Sequence, residues 1–175
     1  MKRKQKILAT GEFLSLIREA HWEYAQRVSA TGAAIIVAVT DEQKLLLVKQ
    51  YRIPCHGRTI ELPAGIAGDE AGTENEPLSE AARRELLEET GYAAKIIEPL
   101  MTGPASSGTT SEIVTLFRAT DLSRVGPGGG RAKEDITVHE VPLAEAHEWL
   151  EQQASSGLLI DPKVYAGLYF LSRKL

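Results

Sequence analysis

The chain has 175 residues, 43% of them hydrophobic and 25% charged, which is the composition of one globular domain. Its net charge is −4 and it has no basic stripe interleaved with aromatic residues, so we expect no nucleic-acid partner. The longest apolar run, residues 33–39, is too short to span a bilayer, and a lone cysteine, Cys55, excludes an internal disulfide, so we expect a cytoplasmic protein without a membrane partner.

Apolar runs separated by turn residues predict alternating strands and helices. The first two strands, residues 33–39 and 44–48, are joined by a polar turn and are predicted to form a central hairpin. Later strands are predicted at residues 58–62, 95–101, 112–119 and 136–141, and helices at residues 77–90, 143–154 and 162–174. This order indicates an α/β or α+β fold with mixed strands flanked by helices. The glycine-rich residues 126–130 are predicted to be a flexible loop, and no phosphate-binding Lys-Ser/Thr follows them.

The helix predicted at residues 77–90 concentrates carboxylates on one side. Glu85, Glu88 and Glu89 fall within an arc of roughly 100°. Like charges at these spacings destabilise a helix unless a positive charge lies among them, and Mg²⁺ prefers carboxylate, water and phosphate oxygens. A solvated acidic face is the alternative, but the apolar side of the helix lies beside Glu85 and Glu89 instead of opposite them. The pattern therefore predicts a metal site at the margin of the core.

The surroundings of these glutamates agree with a metal site. Arg84 precedes Glu88 by four residues, so the two side chains are predicted to pair and to fix the direction of the carboxylate. Between Glu61 and Gly91 there are nine acidic residues and two arginines, whereas the rest of the chain has fifteen acids and eighteen lysines and arginines. An anionic phosphate would be repelled from this acidic region unless cations were bound there.

The same helix resembles a known motif. The segment Arg84-Glu85-Leu86-x-Glu88-Glu89-x-Gly91-Tyr92, with Glu76 and Gly65 upstream, resembles the Nudix box of the Nudix hydrolases. The resemblance implies an α/β/α sandwich with a mixed central β-sheet. It also implies an N-terminal β extension at residues 1–32, used for dimer or substrate contacts, before a Nudix hydrolase domain at residues 33–175.

The first half of the motif departs from the family pattern. Ten residues separate Gly65 from Glu76 where the family has five, so we expect about five extra residues in a polar surface loop within residues 66–75. This insertion leaves open whether Glu76 keeps its family position. It also leaves open whether Gly65 or Gly68 is the structural glycine.

The resemblance implies catalytic roles as well. It implies two or three Mg²⁺ ions, with Mn²⁺ as an alternative, near the carboxylates that Arg84 supports. A further acidic residue, on a loop before the last strand, would approach the attacking water. Glu134 is the first candidate and Asp135 is its rival, because the glycine-rich stretch upstream leaves the alignment open by one residue. The metal ligands implied are Glu85, Glu88, Glu89 and the carbonyl group of Ala64.

Segments outside the motif resemble the ADP-ribose pyrophosphatase branch of the family. These segments are residues 49–52, 60–65 and 107–112. In that branch an N-terminal tryptophan stacks on adenine and arginines hold the substrate, roles that suit an indole face and guanidinium groups. The substrate-binding residues implied here are Trp22, Arg27, Arg52, Glu61 and Glu112.

The reaction implied is Mg²⁺-dependent hydrolysis of the diphosphate bond of a nucleoside diphosphate sugar, with ADP-ribose giving AMP and ribose 5-phosphate. Another nucleotide sugar or polyphosphate, such as GDP-mannose or ADP-glucose, is an alternative substrate. A Nudix domain that senses a ligand without catalysis is an alternative from another class. Members of the branch are commonly homodimers, in which the N-terminal segment of one subunit completes the site of the other, so a homodimer is expected.

Overall fold

The computed structural model describes residues 4–29, 32–68, 72, 75–131 and 134–173. No helix within these ranges is long and apolar enough to span a bilayer. The helices are α1 (Leu78–Thr90), α2 (Ala146–Ser155) and α3 (Pro162–Ser172). The strands are β1 (Gln5–Thr10), β2 (Leu14–Glu19), β3 (Trp22–Arg27), β4 (Gly32–Ala38), β5 (Lys44–Arg52), β6 (Gly57–Glu61), β7 (Ala64–Ala67), β8 (Tyr92–Pro104), β9 (Ile113–Arg124), β10 (Thr137–Pro142) and β11 (Leu159–Ile160).

The described strands form three sheets. The N-terminal strands make an antiparallel sheet in the order β1-β2-β3, and the others make two four-stranded sheets in the orders β10-β5-β6-β11 and β7-β4-β9-β8. Each four-stranded sheet is mixed, because β6 runs parallel to β11 and β4 runs parallel to β9. The predicted class, mixed strands flanked by helices, is therefore confirmed. The expected N-terminal strands are β1 to β3.

The central hairpin predicted from residues 33–39 and 44–48 is wrong. β4 and β5 meet through an isolated bridge between Val39 and Leu45, and each strand then enters a different four-stranded sheet. β4 is buried along most of its length and β5 is buried over residues 45–48, so their apolar runs carry no sign of which neighbour they pair with. The neighbours of β4 are β7 and β9, and those of β5 are β6 and β10.

β4 separates two parts of the hydrophobic core. Its odd-numbered residues from Ala33 to Val37 belong to a cluster with α2 and α3, and its even-numbered residues from Ala34 to Ala38 belong to a cluster with α1. Successive side chains of a strand point to opposite faces, so helices cover both faces of this strand. The sheet β7-β4-β9-β8 therefore provides a fixed platform for α1.

α1 begins one residue later than predicted and ends at the predicted residue. Pro77 is the N-cap, with an extended backbone (φ −60°, ψ 139°). At the other end, Gly91 adopts the left-handed conformation (φ 76°), and its N–H donates to the carbonyl oxygen of Leu87 at 2.8 Å. This conformation favours glycine and ends the helix.

The other differences concern the ends of elements and two short strands, β7 and β11, that were not predicted. β8 and β9 extend beyond their predicted ranges, and a 3-10 turn at Leu143–Glu145 precedes α2. The predicted end of the last helix, residue 174, lies outside the described residues. β7 was not predicted, because its four residues, two alanines, a glycine and one isoleucine, lack the alternation that marks a strand. It pairs with β4 and brings the Ala64–Gly65 step to α1.

Candidate active site

The carboxylate-bearing side of α1 lies against β7. Gly65 is at the contact, because a Cβ atom built on this residue would overlap the Cγ and Cδ atoms of Glu85. β7 is held in place by antiparallel pairing with β4, in which Gly65 is opposite Ala34. A residue without a side chain is needed where backbone and side chain approach so closely. This geometry makes Gly65 the glycine on which the position of Glu85 depends.

Arg84 is the centre of the charge network on α1. Its Nε and Nη2 donate to the two carboxylate oxygens of Glu76 at 3.2 and 3.1 Å, and its Nη1 donates to Oε1 of Glu85 at 2.7 Å. The predicted pairing with Glu88 is present as a longer ion pair of 3.7 Å. Hydrogen bonding to Glu76 is the main cause that raises the pKa of Arg84. Despite the lengthened loop before it, Glu76 lies beside the helix, and Arg84 orients Glu76 and Glu85 more directly than Glu88.

Glu89 is the buried carboxyl group of the set. Only 6% of the residue is exposed, and its Oε2 accepts a hydrogen bond from the backbone N–H of Ala64 at 3.0 Å. Burial, which this hydrogen bond offsets only in part, raises the pKa of Glu89 to about 8. The negative charges of Glu85 and Glu134 act in the same direction, and Arg52 acts against them. An added positive charge would therefore favour the ionised form of Glu89.

Glu88 is contacted by the segment that follows β9. Its Oε1 accepts a hydrogen bond from Nη2 of Arg131 at 2.7 Å, and its carbonyl oxygen accepts one from the N–H of Gly130 at 3.0 Å. The N–H of Gly129 donates to the carbonyl oxygen of Glu89 at 2.7 Å. The glycine-rich residues 126–130 form no helix or strand, as predicted for a loop, and these backbone hydrogen bonds attach the loop to the end of α1.

The two candidates for the loop base have different surroundings. Glu134 accepts a hydrogen bond on Oε2 from the N–H of Arg131 at 2.8 Å. Its negative charge contributes to the raised pKa of Glu89. Asp135 instead pairs with Arg58 at the start of β6, and its side chain is 72% exposed. Of the two candidates, Glu134 is therefore the one whose charge acts on a glutamate of α1.

The donor set on α1 suits a hard divalent cation. Glu85 and Glu88 are directed towards Arg84 and Arg131, whereas Glu89 forms no ion pair with any described residue. In this arrangement, no three His, Cys, Asp or Glu side chains of the described residues are close enough to share an ion. A dication among these carboxylates would stabilise the ionised form of Glu89. Glu85 and Glu88 each use Oε1 for the arginine contact, and a carboxylate has two acceptor oxygens, so the residues fit a metal while these contacts persist.

Arg52 and Glu61 form a bidentate pair next to the carboxylates. Nε and Nη2 of Arg52 donate to the two oxygens of Glu61 at 2.8 and 2.5 Å, and the hydroxyl group of Thr59 donates to the same carboxylate. Burial alone would raise the pKa of Glu61, but the hydrogen bonds from Arg52 and Thr59 outweigh it and lower the pKa. The two predicted substrate residues thus contact each other. The positive charge of Arg52 also acts to lower the pKa of Glu89.

Trp22 lines a cavity and is not a core residue. Half of the residue is exposed, and the cavity beside it has a volume of about 290 Å³. Trp22 and Tyr24 of β3 line it, together with residues before β9 that include Ser107 and Ser111. We call this space the Trp22 cavity. An indole and hydroxyl groups in the lining of one cavity suit a flat ring with polar edges.

Backbone hydrogen bonds join β3 to the loop before β9 beside the Trp22 cavity. The N–H of Ala25 donates to the carbonyl oxygen of Thr109 at 2.9 Å, and the N–H of Ser111 donates to that of Ala25 at 3.0 Å. Two predicted substrate residues, Arg27 and Glu112, form an ion pair beside this junction. The N-terminal sheet is therefore attached to the loop before β9 within one subunit.

Two arginines that contact candidate site residues were not predicted. Arg131 lies 43 residues from its partner Glu88, and Arg58 lies 77 residues from Asp135. No motif connects residues so far apart in a single sequence. The available signal for Arg131 was its position directly after a run of glycines, which allows the backbone to approach another element closely.

A family model and several known proteins are similar to this chain in sequence. A family model described as the NUDIX domain matches residues 30–159. An ADP-ribose pyrophosphatase of Bacillus subtilis (strain 168) is 35% identical over 148 residues, which cover 84% of this chain and 75% of the relative. A GDP-mannose pyrophosphatase of Enterobacter sp. (strain 638) is 32% identical over 148 residues, covering 80% and 72% of the two chains.

One further relative and one solved structure are also similar to this chain. A methanol dehydrogenase activator of Bacillus methanolicus is 32% identical over 141 residues, covering 80% of this chain and 71% of the relative. A crystal structure described as an ADP compounds hydrolase superimposes with a TM-score of 0.66 and 21% identity, covering 85% of this chain and 80% of the other. At 21% identity, this superposition supports the assignment of the fold alone.

Proposed function

Because the chain belongs to the Nudix family, we propose that it hydrolyses the diphosphate bond of a nucleoside diphosphate sugar. The preferred substrate in this proposal is ADP-ribose, and the products are AMP and ribose 5-phosphate. The observation that carries the proposal is the position of Glu85 and Glu89 against β7, with Arg84 between Glu76 and Glu85. Relatives named as pyrophosphatases for ADP-ribose and GDP-mannose support the substrate class.

The residues of α1 and β7 have different roles in the proposed reaction. Glu85, Glu88, Glu89 and the carbonyl group of Ala64 would hold two or three Mg²⁺ ions, with Mn²⁺ as an alternative. When bound, the metal supplies positive charge that stabilises the diphosphate and promotes ionisation of the attacking water. In this proposal Arg84 orients Glu85, and its hydrogen bond of 2.7 Å to Oε1 of Glu85 supports that role.

Glu134 is the proposed general base. It follows Arg131 on the segment that packs against α1, and its charge reaches the buried Glu89. In this proposal its carboxylate accepts the proton of the attacking water as the new oxygen–phosphorus bond forms. The bond between that phosphorus and the bridging oxygen of the diphosphate breaks, and the leaving phosphate departs with the bridging oxygen. The contribution expected from such a base is about 10²- to 10⁴-fold in rate.

The Trp22 cavity is the proposed site for the nucleobase. Arg27 and Arg52 would then bind the diphosphate after exchanging part of their contacts with Glu112 and Glu61. A tryptophan stacks on guanine as well as on adenine, so GDP-mannose is the second candidate, and relatives of that name are of similar identity. The base that is preferred depends on hydrogen bonds at the edge of the cavity.

A homodimer is part of the proposal, with each Trp22 cavity formed inside one subunit. Large apolar side chains of the N-terminal sheet and its turns are exposed, among them Phe13, Leu14, Leu16 and Val28. Such residues suit a contact with a second copy of the chain. If the cavity belongs to one subunit, KM will not change when the protein is diluted below the dimer dissociation constant. A rise in KM on dilution would contradict this assignment.

The function is tested by phosphate release from a panel of nucleotide sugars with Mg²⁺ and a coupled phosphatase. We expect the highest kcat/KM with ADP-ribose, and a loss of about 10³-fold or more in Glu89→Gln, which keeps a hydrogen-bond acceptor for Ala64 but loses the charge. Glu80→Gln, on the first turn of the same helix, is the control and should retain activity. Near-normal hydrolysis by Glu89→Gln would contradict the mechanism. Absence of turnover with every substrate would favour a ligand sensor.

A further inference from the structure

The segment after β9 is shaped for contact with α1. Gly128 and Gly130 both have a left-handed backbone, with φ values of 69° and 76°. A Cβ atom on Gly128 would overlap the backbone of Thr90, and a Cβ atom on Gly130 would overlap the carboxylate of Glu134. Side chains at these positions would therefore displace the segment from the helix or Glu134 from the segment.

Arg131 connects this segment to both elements. Its side chain donates to Oε1 of Glu88 at 2.7 Å. Its backbone N–H donates to Oε2 of Glu134 at 2.8 Å, and its carbonyl oxygen accepts from the N–H of Glu134 at 2.8 Å. The direction of the Glu134 carboxylate is thus set by the backbone of Arg131, whose own position is set by Glu88.

We propose that Arg131 is a positioning residue for the hydrolytic reaction and acts through Glu134. Its contact with Glu88 aligns the carboxylate that accepts the water proton with the glutamates of α1. This inference rests on the proposed function, and it adds a residue outside the motif of α1. Because half of the Arg131 side chain is exposed, the ion pair contributes little to overall stability. The ion pair affects the rate through the position of Glu134, since a shift of about 1 Å at a catalytic group can lower the rate on the order of 100-fold.

The kinetic test uses Arg131→Met, Glu134→Gln and the double variant. We expect Arg131→Met to lower kcat about 10- to 100-fold with KM changed by less than about threefold. In the Glu134→Gln background the same change should have no further effect on kcat, because two residues that act as one unit are not additive. Arg131→Lys keeps the charge and should recover part of the loss. The control is Arg124→Met, which removes an exposed arginine paired with Glu140 at 3.0 Å, away from the site.

A structural readout separates this inference from the proposed function. In metal-free protein without substrate, Arg131→Met should accelerate hydrogen exchange of the Gly130 and Glu134 amides, and Arg124→Met should not. Multiplicative losses in the double variant, a rise in KM with kcat unchanged, or unaltered exchange would each overturn the positioning role. If the wild type hydrolyses no nucleotide sugar but the exchange result holds, the proposed function fails and the structural connection stands without a catalytic role.

Discussion

The backbone N–H of Ala64 donates a hydrogen bond of 3.0 Å to Oε2 of Glu89 and so ties the buried carboxyl group of α1 to β7. This contact does not compensate for burial, which raises the pKa of Glu89 from an ordinary 4.5 to about 8. With such a pKa, and without a bound cation, Glu89 would be mostly protonated at neutral pH in the folded protein and ionised in the unfolded chain. The same carboxyl group would bind a metal in place of that proton.

The stability of the metal-free protein should fall as the pH rises. Between about pH 4.5 and pH 8 the folded state binds one proton more than the unfolded state at Glu89, so the free energy of unfolding decreases with pH in this window. We expect this group to account for a loss on the order of 1 to 3 kcal/mol between pH 5.5 and pH 8. Urea denaturation in the presence of EDTA measures it.

Glu89→Gln is the control for this dependence, since it removes the titrating group and keeps the amide oxygen for Ala64. Other groups contribute equally to both proteins, so the difference between the two pH slopes isolates Glu89. Added Mg²⁺ should raise the stability of the wild type at pH 8 more than that of the variant. Identical slopes in the two proteins would show that Glu89 is ionised in the folded state.

Gly65→Ala should disturb the site more than the fold. The new methyl group would overlap the side chain of Glu85, so Glu85 must turn away from β7. We expect kcat to fall at least about tenfold, with an increase in the Mg²⁺ concentration required, while the loss of stability stays near 1–3 kcal/mol. Activity titrated with Mg²⁺ and thermal unfolding measure the two effects.

The matched control for this change is Gly103→Ala in β8. A Cβ atom there would lie 3.5 Å from the terminal methyl carbon of Met101, an ordinary contact that requires no displacement. It should leave the Mg²⁺ dependence unchanged. If Gly65→Ala behaves like this control, then Glu85 has room to keep its position and the packing of α1 on β7 is looser than the structure indicates.

The parts of the site that could be predicted are local in the sequence. The limits of α1 and the burial of Glu89 at the edge of its apolar side follow from helical spacing and from Gly91. The partners of β4 and β5 could not be predicted, because two strands buried on both faces show no alternation. The contact of Arg131 with Glu88 depends on how the end of β9 meets the end of α1, which no local pattern encodes.

Arg52→Met should destabilise the fold through the group that it leaves behind. Glu61 is nearly buried and would keep only the hydrogen bond from Thr59. An ionised carboxylate without its partner in such a place costs about 1–3 kcal/mol. Arg18→Met, which removes the arginine of the exposed pair with Glu23, should cost less than about 1 kcal/mol. Equal effects in urea denaturation would mean that solvent screens the Arg52 pair as well.

Trp22→Ala should weaken substrate binding without slowing the chemical step. The indole lines the Trp22 cavity and lies outside the carboxylate cluster of α1, so its stacking energy is equal in the ground state and the transition state. Loss of one stacked base costs about 1–3 kcal/mol, which corresponds to a rise in KM on the order of tenfold. Steady-state kinetics with the preferred nucleotide sugar measure it, and Trp22→Phe should keep part of the affinity.

The control for Trp22 is Tyr169→Ala, which removes a similarly exposed aromatic side chain on α3. It should leave KM unchanged. A fall in kcat for Trp22→Ala with KM unchanged would place the tryptophan near the reacting phosphate. The nucleobase would then need another site, and the Ala25–Ser111 junction would serve only to attach the N-terminal sheet.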